Sequence, residues 1–468
     1  MAKSLTLIKY KSRWNVGGAG LRTAFVSFMA PAYTQDTVEV LKKISRSAMA
    51  TLGSIGIEVA SEAGPVIDLS DVDAAVSKIR KDEFDFLTAL IPSWAEPPAI
   101  VNTLMPFLDK PILLWALSSI QERDALIAPA GAAGMSAVRY PLKVMGAKLK
   151  VVYGNPESKD VQDEILSFAR AASAIKKLFG SRIGIFGYAD MGSYTAGFDQ
   201  ISLRSKLGVE VEDFEVHRLL LRAGEIEDKE ADEFISKQFK DWKIDETVAK
   251  EDLRKTIKVY LALRKIIDER RFDAVSMKCV YGLPTYYGIT PCIPLALAGS
   301  KIPVVCESDV LGLVTELIMD FVSGQRSVYL EFYDIFEDRL LMGVCGMMPQ
   351  EILESTPRLY KYAWGKLTGL MVVGSMKTGK ITLARLASAG DRYTMHITVG
   401  EAVKPRTWHE IGWQLEAPVY PSLEIILGNR TKEFMENIMA QHYHLVYGDC
   451  TEELVELCKL LGIETILT

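Results

Sequence analysis

The chain has 468 residues, enough for about three domains of ordinary size. Its 54 Lys and Arg against 60 Asp and Glu leave a net charge of −6, which excludes a generic binder of nucleic-acid phosphates. Apolar residues at 49% and charged residues at 24% describe a folded globular chain, and no apolar run reaches the roughly eighteen residues a bilayer span needs. The first residues, MAKSLTLIKYKSRW, carry no apolar signal core, which predicts a cytoplasmic protein.

TAFVSFM from Thr23 reads as a strand and TVEVLKKISRSAMATL from Thr37 as a helix with a 3.6-residue apolar period. FDFLTALIP, PILLWAL and KLKVVYG are continuously apolar, as parallel strands covered on both faces are. Helical stretches separate them, including Pro129 to Met145, so residues 1–175 are expected to form an open α/β domain. A second alternating block, residues 176–343, offers RIGIFGY, VEVEDFEV, FDAVSMK, KIPVVCE and SVYLEFY as strands. Between VEVEDFEV and FDAVSMK, the mixed charges from Glu225 to Arg271 mark solvated helix faces. Residues 344–468 change character, with short alternating strands and Gly-rich turns that predict an antiparallel barrel or sandwich. The amphipathic helix TEELVELCKLLGI closes the chain.

Two glycine-rich segments fail as phosphate sites. Gly374 to Ile381 has Ile381 where a phosphate loop needs a hydroxyl, and the sequence that follows alternates like strands instead of opening a helix. Gly379-Lys380 is therefore expected to be a hairpin turn. Val16 to Leu21 precedes the first strand, whereas a dinucleotide fingerprint follows one.

The segment Lys301 to Asp334 carries the chemistry. A short strand, Ile302 to Cys306, ends at Glu307; Ser308 and Asp309 suit a helix start, and Gly324 suits its end. A second strand from Ser327 delivers Glu331. As a strand-helix-strand unit, the two strands should be parallel neighbours, with Glu307 and Glu331 at one sheet edge, where ligands bind. Paired carboxylates can hold a divalent cation such as Mn²⁺ and move a proton on a carbon next to a carbonyl. Equally, Glu307 could be a helix-start charge and Glu331 a solvated strand end, and Asp309 or Asp334 could replace either one.

Histidine is scarce, with five in the chain. In QHYHLVYGD, a strand would put His442 and His444 on one face. His396 reads as structural, and His217 and His409 receive no role. Lys278 and Met191 fall where cleft residues belong, although Lys278 also reads as a solvated strand end and Met191 as packing. The six cysteines form no C-x-x-C pair and no zinc spacing, and IPVVC and LMGVCG predict small buried hydrophobes in a reducing compartment.

CESDV followed by VYLEFYD, with HYHLVYGDCTEELVELCKLLGIE near the end, resembles the L-fucose and L-arabinose isomerase family of metal-dependent sugar isomerases. RIGIFGYADMGSYTAGFDQISLRSKLGVEVEDF and FDAVSMKCVYGL are similar to blocks of the same family. The resemblance implies two Rossmann-like parallel-sheet domains followed by a C-terminal antiparallel β-barrel-like domain. It also implies Mn²⁺, or another divalent cation, bound by Glu307, Glu331 and His442, with His444 as the fallback ligand. The implied reaction is aldose–ketose interconversion through a cis-enediol, with Glu307 and Glu331 transferring protons on a free deoxy or pentose-like sugar. Homo-oligomers, hexamers or trimers, are implied as well. The chain departs from L-fucose isomerases in having Glu331 where they have aspartate, which leaves a sugar-binding or regulatory protein as the alternative.

Overall fold

Phe86–Ile91 and Pro111–Ala116 are buried along their full length, as strands covered on both faces must be. In the computed structural model of the chain they lie inside a five-stranded sheet in which every pairing is parallel. Its order is Ile57–Val66, Leu21–Phe28, Phe86–Ile91, Pro111–Ala116, Lys148–Tyr153. Ile57–Val66 is an edge strand of mixed exposure, so its sequence shows no apolar run. The structure describes residues 20–31, 35–122, 125–127, 129–364, 367–412 and 420–468. The Gly-rich segment from Val16 therefore lies almost wholly outside the described residues.

The described chain divides into two units: residues 20–176 with Glu452–Gly462, and Lys177–Thr451 with Ile463–Thr468. The division falls inside the helix Lys159–Gly180. Within the first unit, ion pairs from Arg170 to Glu453 (2.8 Å) and Lys150 to Glu456 (3.4 Å) tie the helix Thr451–Leu461 to the rest.

The second unit contains a four-stranded parallel sheet in the order Val304–Cys306, Ala274–Met277, Arg182–Phe186, Glu210–Phe214. It also contains a seven-stranded mixed sheet. There, Val328–Ile335 pairs antiparallel with Arg339–Gly343 on one side and with His442–Tyr447 on the other. Gly379–Ala389 pairs with His442–Tyr447 and with Arg392–Val403, and Ser422–Ile426 pairs with Arg392–Val403 and Arg339–Gly343. All these pairings are antiparallel; Glu464–Leu467 joins Arg392–Val403 in parallel and makes the sheet mixed.

Two sequence expectations change here. The strands that carry Glu307 and Glu331 are not parallel neighbours: Val304–Cys306 belongs to the four-stranded sheet and Val328–Ile335 to the seven-stranded one. The helix Val310–Ser323 between them, buried from Val310 to Val322, passes the chain from one sheet to the other. Nor is Gly379-Lys380 a hairpin turn. Leu367–Val373 pairs with Arg358–Trp364 in a separate sheet, and Gly379 opens a strand whose hairpin partner lies beyond Gly390. No helix follows the glycines, as expected. Among the described residues, no helix is long and apolar enough to cross a membrane.

Candidate active site

Glu307 sits on a strained turn. The strand ends at Cys306 and the helix begins at Val310. Between them Glu307 and Ser308 both take left-handed backbone angles, φ +64° and +55°. Such angles cost residues with a side chain roughly 1 kcal/mol or more each, so the surroundings must hold them. The Asp190 amide donates to the Glu307 carbonyl (3.0 Å) and the Asp309 amide to the Cys306 carbonyl (3.3 Å). Asp309 caps the helix by accepting from the Gly312 amide (2.9 Å). The same carboxylate accepts both arms of the Arg385 guanidinium, at 2.6 and 2.9 Å, and the Tyr329 hydroxyl at 3.2 Å. Burial pushes the Asp309 carboxyl up, but Arg385 more than offsets this and holds it below its ordinary range. Gly312 makes room for the pair: a Cβ there would stand 2.4 Å from Asp309 Oδ2 and 2.6 Å from Arg385 Nη1.

Glu331 and His442 meet across a strand pair. The register places Glu331 directly opposite His442 and Tyr329 opposite His444, so all four share one face of the sheet. The Tyr329 ring stacks on His442, with centroids 4.1 Å apart and planes inclined by 18°. His442 Nε2 lies 3.9 Å from Glu307 Oε1, and Gln441 Nε2 donates to Glu307 Oε2 at 3.3 Å. Gln441 is itself held by the Thr195 hydroxyl, which donates to its Oε1 at 2.6 Å.

The electrostatics follow from this packing. Burial, and next the neighbouring Glu331 charge, push Glu307 up to about 7. Burial also pushes Glu331 up. Burial pushes His442 down to about 3, so near neutral pH it is an uncharged imidazole with a free lone pair. Its Nδ1 has no hydrogen-bond partner among the described residues. Two carboxylates that resist ionising together, beside a neutral imidazole, form an oxygen and nitrogen donor set that a dication would stabilise. The residues present therefore fit Mn²⁺ or a similar cation.

Glu307 and Glu331 line a cavity of about 150 Å³ with Met191, Tyr420 and four cysteines, Cys279, Cys292, Cys306 and Cys345. The space suits a small molecule rather than a polymer. His442 does not form part of this wall and reaches the site through Glu307. Asp190, fully buried, shapes the rim by accepting from the amides of Cys279 (2.9 Å) and Val280.

The alternatives separate. Asp309 is occupied by Arg385, and Asp334 accepts from the Ile335 amide at 2.8 Å, outside the cavity wall. His444 is fully buried, with Nδ1 3.7 Å from Glu316 Oε2 rather than beside Glu307. His396 contacts the Tyr443 hydroxyl (2.7 Å) and Thr468 Oγ1 (3.0 Å) in a structural setting. His217 and His409 are exposed. Lys278 is not a solvated strand end. It is 6% exposed, with its ammonium 3.4 Å from the centre of the Tyr188 ring and 3.9 Å from Asp190.

Sequence reasoning missed Gln441, Arg385 and the thiol grouping. Gln441 was visible beside His442 but carried no role. Arg385 lies in an ordinary strand, LARLASA, and nothing local marks Asp309 as its partner. The hydrogen bond with Cys279, then burial, push the Cys306 thiol well up; the Cys345 thiol is raised in the same way by Cys292 and by burial.

The chain is similar to proteins named as sugar isomerases. Residues 360–468 match the family model described as L-fucose isomerase, C-terminal domain. A sulfoquinovose isomerase of Priestia aryabhattai is 23% identical, covering 95% of this chain and 96% of that protein. One from Alkalicoccus urumqiensis is also 23% identical, over 82% of this chain and 89% of its own length. An L-arabinose isomerase of Acidothermus cellulolyticus is 23% identical over 52% of this chain and 51% of that protein.

Proposed function

We propose that the chain, which is similar to L-fucose, L-arabinose and sulfoquinovose isomerases, interconverts an aldose and its ketose in the Glu307–Glu331 cavity. Mn²⁺, or another divalent cation, would be held by Glu307, Glu331 and His442. The observation that carries this reading is the meeting of three groups from distant parts of the chain. Glu331 faces His442 across a strand pair, and Glu307 turns in to within 3.9 Å of the imidazole.

When bound, the cation supplies Lewis-acid stabilisation of negative charge on the oxygens at C1 and C2. The protein's own groups move the protons. One carboxylate takes the C2 proton of the open-chain aldose and returns it to C1, while the hydroxyl proton leaves O2 and a proton reaches O1. The species between is the cis-enediol. An acid–base group here must both accept and release a proton, which a carboxylate of the Glu307–Glu331 pair can do. Gln441 holds Glu307 in place, and burial of the site limits water's access to the intermediate.

The ring of antiparallel pairings supports reading the C-terminal sheet as a closed barrel. A cytoplasmic homo-oligomer, hexamer or trimer, completes the proposal, and sedimentation tests the assembly. Sulfoquinovose, L-arabinose and L-fucose are the first aldoses to try. In heavy water, the metal-stripped protein reloaded with Mn²⁺ should place deuterium at C2 of its substrate. Thermal stabilisation by a sugar without exchange would identify a binding protein instead; no exchange across a broad panel with Mn²⁺ bound would sink the proposal.

A further inference from the structure

Four of the chain's six cysteines, separated by as many as 66 positions, converge on one small cavity wall. Cys279 follows the strand Ala274–Met277, and Cys306 ends the neighbouring parallel strand, where it stands in register with Met277. The Cys279 and Cys306 sulfurs and a Glu307 carboxylate oxygen all lie within 4.8 Å of one another, and all three residues are buried. Around a tetrahedral zinc ion with Zn–S near 2.3 Å, neighbouring ligand atoms stand about 3.7 Å apart. The observed triangle therefore needs to contract by no more than about 1 Å. The cavity beyond it leaves space for water as a fourth ligand.

We propose that Cys279, Cys306 and Glu307 form a binding site for a thiophilic divalent cation of the zinc or cadmium class. Binding forms two metal–sulfur bonds and one metal–oxygen bond, and the two thiol protons pass to solvent. The site draws on a softer donor set than the oxygen and imidazole ligands of Glu307, Glu331 and His442, so the two select different metals. They share Glu307. Resting on the Mn²⁺ reading above, this sharing makes a thiophilic cation an inhibitor that takes a carboxylate from the catalytic metal. Two thiols whose spacing in sequence gives no zinc motif thus act together as ligands.

Cadmium titration of the metal-stripped protein tests it, followed by the ultraviolet thiolate-to-cadmium charge-transfer band. One equivalent should produce the band, and cadmium X-ray absorption on the unaltered protein should count two sulfur neighbours. The Cys279→Ser/Cys306→Ser double variant should lose the band, while Cys450→Ser keeps it. Saturating Mn²⁺ should raise the cadmium concentration needed to develop the band, because the two cations compete for Glu307. Absence of the band, its survival in the double variant, or fewer than two sulfur neighbours in the unaltered protein would overturn the site. A band indifferent to saturating Mn²⁺ would overturn the sharing. Manganese affinity unaffected by His442→Ala, with cadmium binding intact, would count against the isomerase metal site alone.

Discussion

Replacing Glu307 with glutamine should flatten the pH dependence of stability in the metal-free protein. In the unfolded chain Glu307 titrates near 4.5, and in the folded site burial and the Glu331 charge raise it to about 7. The folded state thus holds this proton more tightly. Its stabilising contribution is complete below about pH 4.5 and is lost as pH rises through about 7. Each tenfold change in proton affinity is worth about 1.4 kcal/mol, so the loss amounts to about 3 kcal/mol. Thermal unfolding in chelator between about pH 5 and about pH 8 measures it. The wild type should lose several degrees relative to Glu307→Gln as pH rises, and saturating Mn²⁺ should restore them to the wild type by mass action. Buried carboxyls outside the pair, such as Glu316 and Asp320, titrate in both proteins and cancel in the difference. Parallel curves for the two proteins would refute the reasoning, because they would mean that Glu307 ionises as freely in the fold as in the unfolded chain.

Arg385→Met leaves Asp309 buried without its partner and should cost about 3–5 kcal/mol in chemical denaturation; adding Asp309→Asn should recover part of that loss. Gly312→Ala should also destabilise, although alanine favours a helix interior by about 1 kcal/mol, because its Cβ would push into the Asp309–Arg385 pair; a rise in the denaturation midpoint would contradict this. His442→Gln should weaken Mn²⁺ binding more than about 100-fold, beyond what outer-shell changes cost, while His444→Gln costs less than tenfold, as read by calorimetric titration.

The glutamates were legible because each ends or interrupts an apolar run, where a charge is conspicuous. The parallel sheet of the first unit was legible for a related reason: strands covered on both faces cannot hide their composition. The QHYH pair was readable as one strand face because side chains alternate with period two. What sequence could not settle was partnership. The helix Val310–Ser323 is buried on all sides, so its apolar pattern says nothing about which sheet receives the chain after it, and the Glu331 strand went to the antiparallel sheet. That choice sets the register that puts Glu331 opposite His442 rather than beside Glu307 on a shared edge. Arg385 likewise gained its role from a carboxylate 76 positions away. The cysteines, unremarkable in spacing, became a donor cluster only where two parallel strands end together. Local composition determined which residues stand out as candidates; long-range strand pairing, which no local pattern encodes, decided which of them meet.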